Sequence, residues 1–263
     1  MTKAQKQHIV IIGCGNVAWH LAKRFSELKN TQVYIYNHKE NKLLKKFKTQ
    51  LNCKVFSNLK EILAGADYYF ICVADSFISS VSQKIKPFNK ESVVLHTSGS
   101  ISIDAIKTDT YCKAVFYPLQ TFSKNDVIDW QSVPILIEAN NNYTFKNTTT
   151  LAKKISKTNL KVNYTQRLNI HLAAVLVNNF TNTLYVSAAE HLQKQKLNFT
   201  LLLPLIQQTV KKLNVLSPLK AQTGPAKRND LVVLKKHEQL LNDNKKLKQL
   251  YIQLTELIQT QQK

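Results

Sequence analysis

The sequence is poor in acidic residues and in long apolar runs, and both shortages narrow the class of protein. Of its 263 residues, 16 are acidic and 37 are basic, which gives a formal net charge of +21. Its apolar stretches fall well short of the roughly 20 residues that a membrane-spanning helix needs. The N-terminal stretch MTKAQKQ is too short and too polar for a signal peptide. We therefore expect a soluble cytoplasmic protein with no membrane partner.

Cysteine and arginine are also scarce. The four cysteines are Cys14, Cys53, Cys72 and Cys112, and the three arginines are Arg24, Arg167 and Arg228. Because no CxxC pair and no cluster of histidines is present, the pattern predicts neither a metal site nor a disulfide framework. A nucleic-acid-binding surface would concentrate its basic residues in a patch. The lysines here are spread along the whole chain, so we expect no nucleic-acid partner, and some steering of anionic substrates.

Short apolar runs alternate with helical segments over the first half of the chain. The runs are HIVII (8–12), TQVYIY (31–36), KVF (54–56), YYFICV (68–73) and SVVLH (92–96). This alternation predicts an α/β fold with a Rossmann-type, doubly wound parallel sheet. KAVFYP and VPILIEA extend that sheet to about residue 140, and helical periodicity dominates after residue 166. We predict a Rossmann-like dinucleotide-binding domain at 1–150 and a smaller all-helical domain at 151–263.

Two of the chain's five glycines stand in one turn between a strand and a helix. The pattern Gly13-x-Gly15-x-x-Ala18 is typical of a dinucleotide-binding turn, in which the pyrophosphate lies on the helix N-terminus. Gly13 permits the tight turn, and Gly15 lets the backbone approach the phosphates. Asn16 and Val17 complete the predicted phosphate-binding segment.

The second strand ends in a sequence that lacks the expected carboxylate. NAD sites usually carry Asp or Glu about 20 residues after the glycines, where it accepts from the ribose 2′-hydroxyl. Here the strand runs into Asn37, His38 and Lys39. A neutral amide does not repel a 2′-phosphate, and the two basic residues can donate to one. The sequence therefore favours NADP(H), although Lys39 can equally begin the solvated face of the next helix.

Polar and small residues follow the fourth and fifth strands, where ligands bind in open α/β sheets. Val73, Ala74 and Asp75 are the first group, and we assign them to cofactor binding. Asp75 can also cap the helix that follows. Ser98 and Gly99 are the second group, and we expect them beside the nicotinamide and the substrate. The alternative for Ser98 is again a helix cap.

Three further candidates for the substrate site lie outside these loops. Tyr117 and Gln120 stand where the sixth strand leaves the sheet, in FYPLQTF (116–122). Arg228 follows a Gly-Pro turn and can clamp a carboxylate or phosphate with two hydrogen bonds. It can equally pair with Asp230 or cap a helix, and the sequence leaves these alternatives open.

A polar stripe marks the long helix predicted at about 166–195. At 100° per residue, His171, Asn178 and Asn182 fall within about 40° of one another on an otherwise apolar segment. Such a stripe faces either a ligand cleft or a neighbouring helix in the core or in a dimer. In the first case His171 is the proton donor for hydride transfer. We assign His171, Asn178 and Ser98 as catalytic and Asn182 as substrate-binding.

With these motifs in hand, the chain resembles a family of two-domain proteins assigned as NADP oxidoreductases, with a helical C-terminal domain of unassigned function. The matching segments are GCGNVAWHL, HTSGS, FYPLQTFSK, HLAAVLVNNFTN, LLLPLI and AQTGPAKRND. More distantly, the chain is similar to pyrroline-5-carboxylate reductase, the 6-phosphogluconate and β-hydroxyacid dehydrogenases, and prephenate dehydrogenase. The resemblance implies a homodimer built through the helical domain. Our leading hypothesis is hydride transfer between NADP(H) and a small anionic carbonyl or imine compound.

The chain also departs from these relatives. β-Hydroxyacid dehydrogenases carry a catalytic lysine four residues before an asparagine of the long helix, where this chain has Ala174 and Val175. Prephenate dehydrogenases have His-Pro where this chain has Tyr117-Pro118. The missing lysine keeps an alternative open: an NADP-binding sensor or regulatory dimer without catalytic activity.

Overall fold

One eight-stranded sheet forms the centre of the computed structural model, which describes residues 6–58, 61–87 and 89–262. The strand order is β3-β2-β1-β4-β5-β6-β7-β8. The strands are β1 (Gln7–Ile12), β2 (Thr31–Tyr36), β3 (Lys54–Phe56), β4 (Tyr68–Ile71), β5 (Val93–His96), β6 (Cys112–Pro118), β7 (Ile135–Ala139) and β8 (Asn159–Lys161). This order, with helices on both faces, confirms the predicted Rossmann-type fold.

All neighbouring strands are parallel except β6 and β7. A parallel neighbour requires a crossover of a dozen or more residues, usually a helix. The segment between β6 and β7 contains only a short 3₁₀ turn, Trp130–Ser132, among its described elements. The chain therefore returns antiparallel, and the next helix then carries it across to β8.

The core occupies both faces of the sheet because alternate residues of each central strand point to opposite sides. Ile9 and Ile11 of β1 face one layer, in which Phe25 of the first helix is also fully buried. Val10 and Ile12 face the other layer. Burial on both faces explains why these strands read as continuous apolar runs in the sequence.

The helices are distributed over two compact units of the chain, Met1–Asn178 and Asn179–Lys263. The first unit contains α1 (Asn16–Ser26), α2 (Lys42–Leu51), α3 (Ile78–Ser82), α4 (Asn142–Lys153) and α5 (Tyr164–Ala174). The second contains α6 (Thr181–Lys194), α7 (Leu203–Lys212), α8 (Pro218–Ala221), α9 (Leu231–Leu240) and α10 (Lys245–Gln261). In the part of the chain that is described, no helix combines the length and the apolar character needed to cross a bilayer. The functional boundary at 150/151 stays a prediction.

The long helix predicted at about 166–195 differs from an ordinary α-helix at its centre. α5 passes into a π-helical segment, Val175–Phe180, before α6 begins. A π turn holds more residues than an α turn and is frequent at functional sites. The 100° spacing that aligns His171 with Asn178 and Asn182 therefore does not hold through this segment.

Candidate functional site

The turn between β1 and α1 has the geometry of a phosphate cradle. Gly13 has a φ of +112°, and a Cβ there would collide with the carbonyl oxygen of Cys72. Above Gly15 the space is open, since an added Cβ would find no atom within 4 Å. Gly15 caps α1 without a side-chain hydrogen bond, and the first turn of α1 contains no acidic residue. The N–H groups and positive end of the helix dipole are therefore available to an anion.

A cavity of about 570 Å³ extends from this turn between the ends of β1, β2 and β4. This volume lies within the range of about 300–1,000 Å³ that small-molecule sites usually have. Of the residues assigned to the cofactor from the sequence, six line it: Gly13, Gly15, Asn37, His38, Val73 and Ala74. Phe77, Ser80, Val81 and Lys84 also line it. Apart from their position after β4, no motif distinguishes these four residues in the sequence.

Four residues assigned to the cofactor lie outside the cavity lining. The side-chain amide of Asn16 donates to the carbonyl of Phe122 at 2.9 Å, which ties the loop after β6 to α1. Val17 packs on the core. The carbonyl of Lys39 accepts from the Asn37 side chain at 2.7 Å, and the carboxylate of Asp75 binds two serines. Their roles toward the cofactor stay predictions.

The basic residues that line the cavity are only in part those that the sequence suggested for cofactor binding. His38 and Lys84 are the basic residues of its described lining. They come from the end of β2 and from the segment after α3. Lys84 therefore joins His38 as a candidate partner of a 2′-phosphate, and Lys39 is the less direct candidate.

Asp75 connects the cavity to the loop after β5, residues 98–101, which we name the 98–101 loop. The Oδ2 atom of Asp75 accepts hydrogen bonds from the hydroxyl of Ser98 at 2.9 Å and from the hydroxyl of Ser100 at 2.7 Å. The Ser98 hydroxyl also accepts from the backbone N–H groups of Ser100 and Ile101. Asp75 directly follows Ala74, which lines the cavity, so these hydrogen bonds join the 98–101 loop to the segment after β4. The sequence predicts the nicotinamide beside this loop.

Tyr117 and His171 meet over this loop. The Tyr117 hydroxyl and His171 Nδ1 lie 3.0 Å apart, within hydrogen-bond distance. A Cβ on Gly99 would lie 2.6 Å from His171 Nδ1 and 2.9 Å from Tyr117 Cζ, so only glycine fits beneath the pair. The structure thus brings together Ser98 and His171, which the sequence assigns to catalysis, with Gly99 and Tyr117, which it assigns to substrate binding. Burial raises the pKa of Tyr117, and the charge of Arg167 opposes that rise.

The buried guanidinium of Arg167 is the part of the site that the sequence analysis missed. It donates to the carbonyl oxygens of Ser98 and Ile101 at 2.9 and 2.7 Å, and it forms an ion pair with Glu138 at 2.9 Å. Two features of the sequence could have drawn attention to Arg167: arginine is rare in this chain, and Arg167 lies four residues before His171. The partners of Arg167 lie 29 to 69 residues away in sequence, so the contacts themselves had no local signature.

The imidazole of His96, at the end of β5, is neutral, and two hydrogen bonds fix its tautomer. Its Nδ1 accepts from the N–H of Ser98 and its Nε2 contacts the carbonyl of Ser102, so the proton resides on Nε2. Burial and, to a lesser extent, the charge of Arg167 lower the pKa of His96 to about 4.

The other predicted site residues are exposed, and their roles stay predictions. Gln120 binds the N–H of its neighbour Thr121 through Oε1. Asn178 lies in the π-helical segment, and Asn182 and Arg228 belong to the second unit. Asp230, which the sequence offers as an ion-pair partner of Arg228, accepts from Val233 N and caps α9.

Comparison with known proteins gives the family. Residues 8–99 match the family described as NADP oxidoreductase coenzyme F420-dependent, and residues 133–258 match a domain of unknown function, DUF2520. A candidate NADP oxidoreductase from Bacteroides fragilis is 34% identical, with a TM-score of 0.90 over 97% of this chain and 98% of the other. The chain belongs to this family of NADP oxidoreductases. The search of curated proteins gave no match.

More distant solved structures share the fold of this oxidoreductase. The pyrroline carboxylate reductase of Plasmodium falciparum, solved with NADP bound, is 12% identical with a TM-score of 0.64, over 99% of this chain and 100% of the other. A reductive aminase from Aspergillus terreus, solved with cyclohexanone and allyl amine, is 14% identical with a TM-score of 0.68, over 97% and 93%.

NADP(H) is the cofactor of the family, as the sequence predicts, and the residues present fit it. No side chain fits at Gly13, and the space above Gly15 is open. A pyrophosphate can therefore lie against the backbone of this turn. Phe77 and Val81 offer an apolar wall to a base, and the side chains of His38 and Lys84 can donate hydrogen bonds to a phosphate. The carboxylate that would repel a 2′-phosphate is absent from the end of β2.

The cation assignment is tested by Lys84→Glu. We expect this variant to weaken NADPH binding by tenfold or more while changing NADH binding little, since a hydrogen bond to a charged group contributes about 1.5–3 kcal/mol. Fluorescence titration of both cofactors measures the ratio. Lys39→Glu is the comparison and should have the smaller effect, and Lys23→Glu on α1 is the charge-matched control. Equal losses for NADPH and NADH in Lys84→Glu contradict the assignment.

Because His96 is buried, we expect the free energy of unfolding of the protein to fall at acidic pH. Its pKa is about 4 when folded and 6.5 in the unfolded chain, so the unfolded state binds more protons between these values. The free energy of unfolding therefore falls by up to about 3 kcal/mol as the pH drops through this window. Urea unfolding at a series of pH values measures the slope. His96→Gln should flatten it and His191→Gln, the control, should not; an unchanged slope in His96→Gln contradicts the prediction.

Proposed function

We propose that the protein transfers a hydride between NADP(H) and the C=O or C=N carbon of a small anionic compound. The observation that carries the proposal is the contact between Tyr117 and His171 over Gly99, in the loop that Asp75 joins to the segment after β4. A hydride added to such a carbon leaves a negative charge on oxygen or nitrogen, which a proton must neutralise. A hydroxyl paired with an imidazole is suited to supply it.

The two side chains take different parts in this reaction. NADPH, when bound, supplies the hydride. The Tyr117 hydroxyl keeps its proton at neutral pH, because burial raises its pKa, and donates that proton to the substrate oxygen or nitrogen. His171 then returns a proton to the tyrosine oxygen through Nδ1, 3.0 Å away, while its Nε2 takes up a proton from water. The steps reverse for oxidation of an alcohol or amine.

The residues around the pair support the remaining parts of the proposal. Gly99 lets Tyr117 and His171 lie directly against the backbone of the 98–101 loop, since an added Cβ would collide with both side chains. The formal net charge of +21 favours an anionic substrate, because a positive field raises the local concentration of anions. Arg228 stays the candidate for binding the anionic group of the substrate.

Two substitutions test the proton-donating pair. Tyr117→Phe and His171→Ala should each lower kcat about 100-fold or more, which is the usual contribution of a general acid. NADPH affinity should stay within about twofold, because neither residue belongs to the cavity lining. The assay is loss of NADPH absorbance with a panel of keto acids, aldehydes and imines. Tyr111→Phe, at a tyrosine that is 69% exposed, is the matched control. Full activity in either variant removes that residue from the mechanism.

A second candidate function rests on Ala174 and Val175, which stand where β-hydroxyacid dehydrogenases have their catalytic lysine. In this alternative the protein binds NADP(H) as a sensor and signals through a dimer. Stoichiometric NADPH binding with no oxidation over the whole substrate panel supports the sensor, and turnover of any compound supports the reductase.

We also propose a homodimer formed through the helical second unit. Among the described residues of that unit, only Ala226 and Leu234 are buried apolar side chains. Helices α6, α7 and α10 contain no buried residue, although each carries apolar side chains at helical spacing. A unit of this size needs a larger core to be stable, and exposed apolar helix faces mark interaction surfaces. A second copy of the same chain supplies a matching surface by two-fold symmetry.

Light scattering after size-exclusion chromatography tests the dimer. Leu205 on α7 is 65% exposed, so Leu205→Glu places a charge on the proposed interface and should convert the dimer to monomer at micromolar concentration. Val127→Glu is the matched control, because Val127 is 93% exposed on a loop of the first unit. A monomeric parent protein contradicts the proposal.

A further inference from the structure

Arg167 is the largest side chain that is fully buried among the described residues. A buried guanidinium is costly unless hydrogen bonds and a counter-charge satisfy it. Here Nη1 donates to the Ser98 carbonyl, Nη2 to the Ile101 carbonyl, and Nε and Nη2 to one carboxylate oxygen of Glu138. The side chain therefore links α5 to the 98–101 loop and to β7.

The position of Arg167 on α5 relates it to the proposed proton donor. His171 lies four residues further along, so the two side chains project from the same face of the helix. Arg167 binds the carbonyls at both ends of the 98–101 loop, and His171 reaches the middle of that loop over Gly99. Rotation or translation of α5 against the loop would therefore break the Arg167 bonds and the Tyr117–His171 contact together.

We propose that Arg167 is a positioning residue, which holds α5 in the register on the 98–101 loop that keeps His171 within hydrogen-bond distance of Tyr117. The inference rests on the proposed function, in which these two side chains supply the proton. Lysine could provide the same charge but not the same planar set of donors, since one ammonium cannot span two carbonyls and a carboxylate with fixed geometry.

The charge of Arg167 has a second effect at the site. It lowers the pKa of Tyr117, whereas burial raises it. Glu138 partly compensates that charge at 2.9 Å, and the other titratable groups of the site are Asp75, His96 and His171. The pKa of Tyr117 therefore depends on burial and on the charge of Arg167.

The main test is Arg167→Lys, with Arg24→Lys on α1 as the matched control. Long-range ¹H–¹⁵N NMR of the histidine rings reads the hydrogen bond at His171 Nδ1 directly, with His171→Gln identifying the signal. We expect the hydrogen-bonded Nδ1 signature to be lost in Arg167→Lys and kept in Arg24→Lys, while both variants bind NADPH with affinity within about twofold of the parent. A purely structural role would lower the melting temperature and leave the His171 signature intact; that result in folded Arg167→Lys overturns the proposal.

A second variant keeps the proposal testable if Arg167→Lys does not fold. Glu138→Gln preserves both carbonyl bonds of Arg167 and removes the compensating charge. We expect the His171 signature to remain and the pKa of Tyr117 to fall, as measured by ultraviolet difference titration against Tyr117→Phe. Loss of the His171 signature in folded Glu138→Gln, in which both carbonyl bonds of Arg167 are kept, overturns the proposal. Neither readout needs a substrate, so absence of turnover in the parent would refute the proposed reaction alone.

Discussion

The 98–101 loop is held between two charged side chains, and the geometry of the reacting centre depends on that arrangement. The carboxylate of Asp75 binds the loop through the hydroxyls of Ser98 and Ser100. The guanidinium of Arg167 binds it through two backbone carbonyls. Because the loop is fixed on both sides, Gly99 has a defined position beneath Tyr117 and His171. A site whose parts must lie within about 0.5 Å of the productive geometry needs such support.

The cofactor half of the site depends on a different constraint, the close approach of backbone to ligand. Gly13 avoids a collision with Cys72, and Gly15 leaves space open above the N-terminus of α1. These two glycines convert an ordinary strand-to-helix turn into an anion site. The Cys72–Asp75 region joins the two halves, because Val73 and Ala74 line the cavity while Asp75 binds the 98–101 loop.

The sheet was predictable because its central strands are buried on both faces and therefore appear as unbroken apolar runs. β2 has the bounds that its sequence predicts, and the glycine turn follows β1 as expected. The antiparallel β7 and the π-helical segment were not predictable, since they depend on the course of a loop and on one added residue in a turn. Lys84 is one lysine among many, and only the folded cavity distinguishes it.

The contacts of Arg167 escaped the sequence for a physical reason as well. A buried arginine is recognised by its partners, and here those partners are two backbone carbonyls and a glutamate from distant segments. Backbone acceptors leave no pattern in the sequence. The pair it supports, Tyr117 and His171, was assigned residue by residue, but their contact 54 positions apart emerged only with the fold.

The most direct measurement is a crystal structure of the protein with NADPH. We expect the nicotinamide to lie beside the 98–101 loop, with C4 and the Tyr117 hydroxyl facing one common space large enough for a carbonyl or imine group. His171 Nδ1 should still be bonded to Tyr117. A nicotinamide directed away from the 98–101 loop, or a Tyr117–His171 pair separated by the bound cofactor, would contradict it.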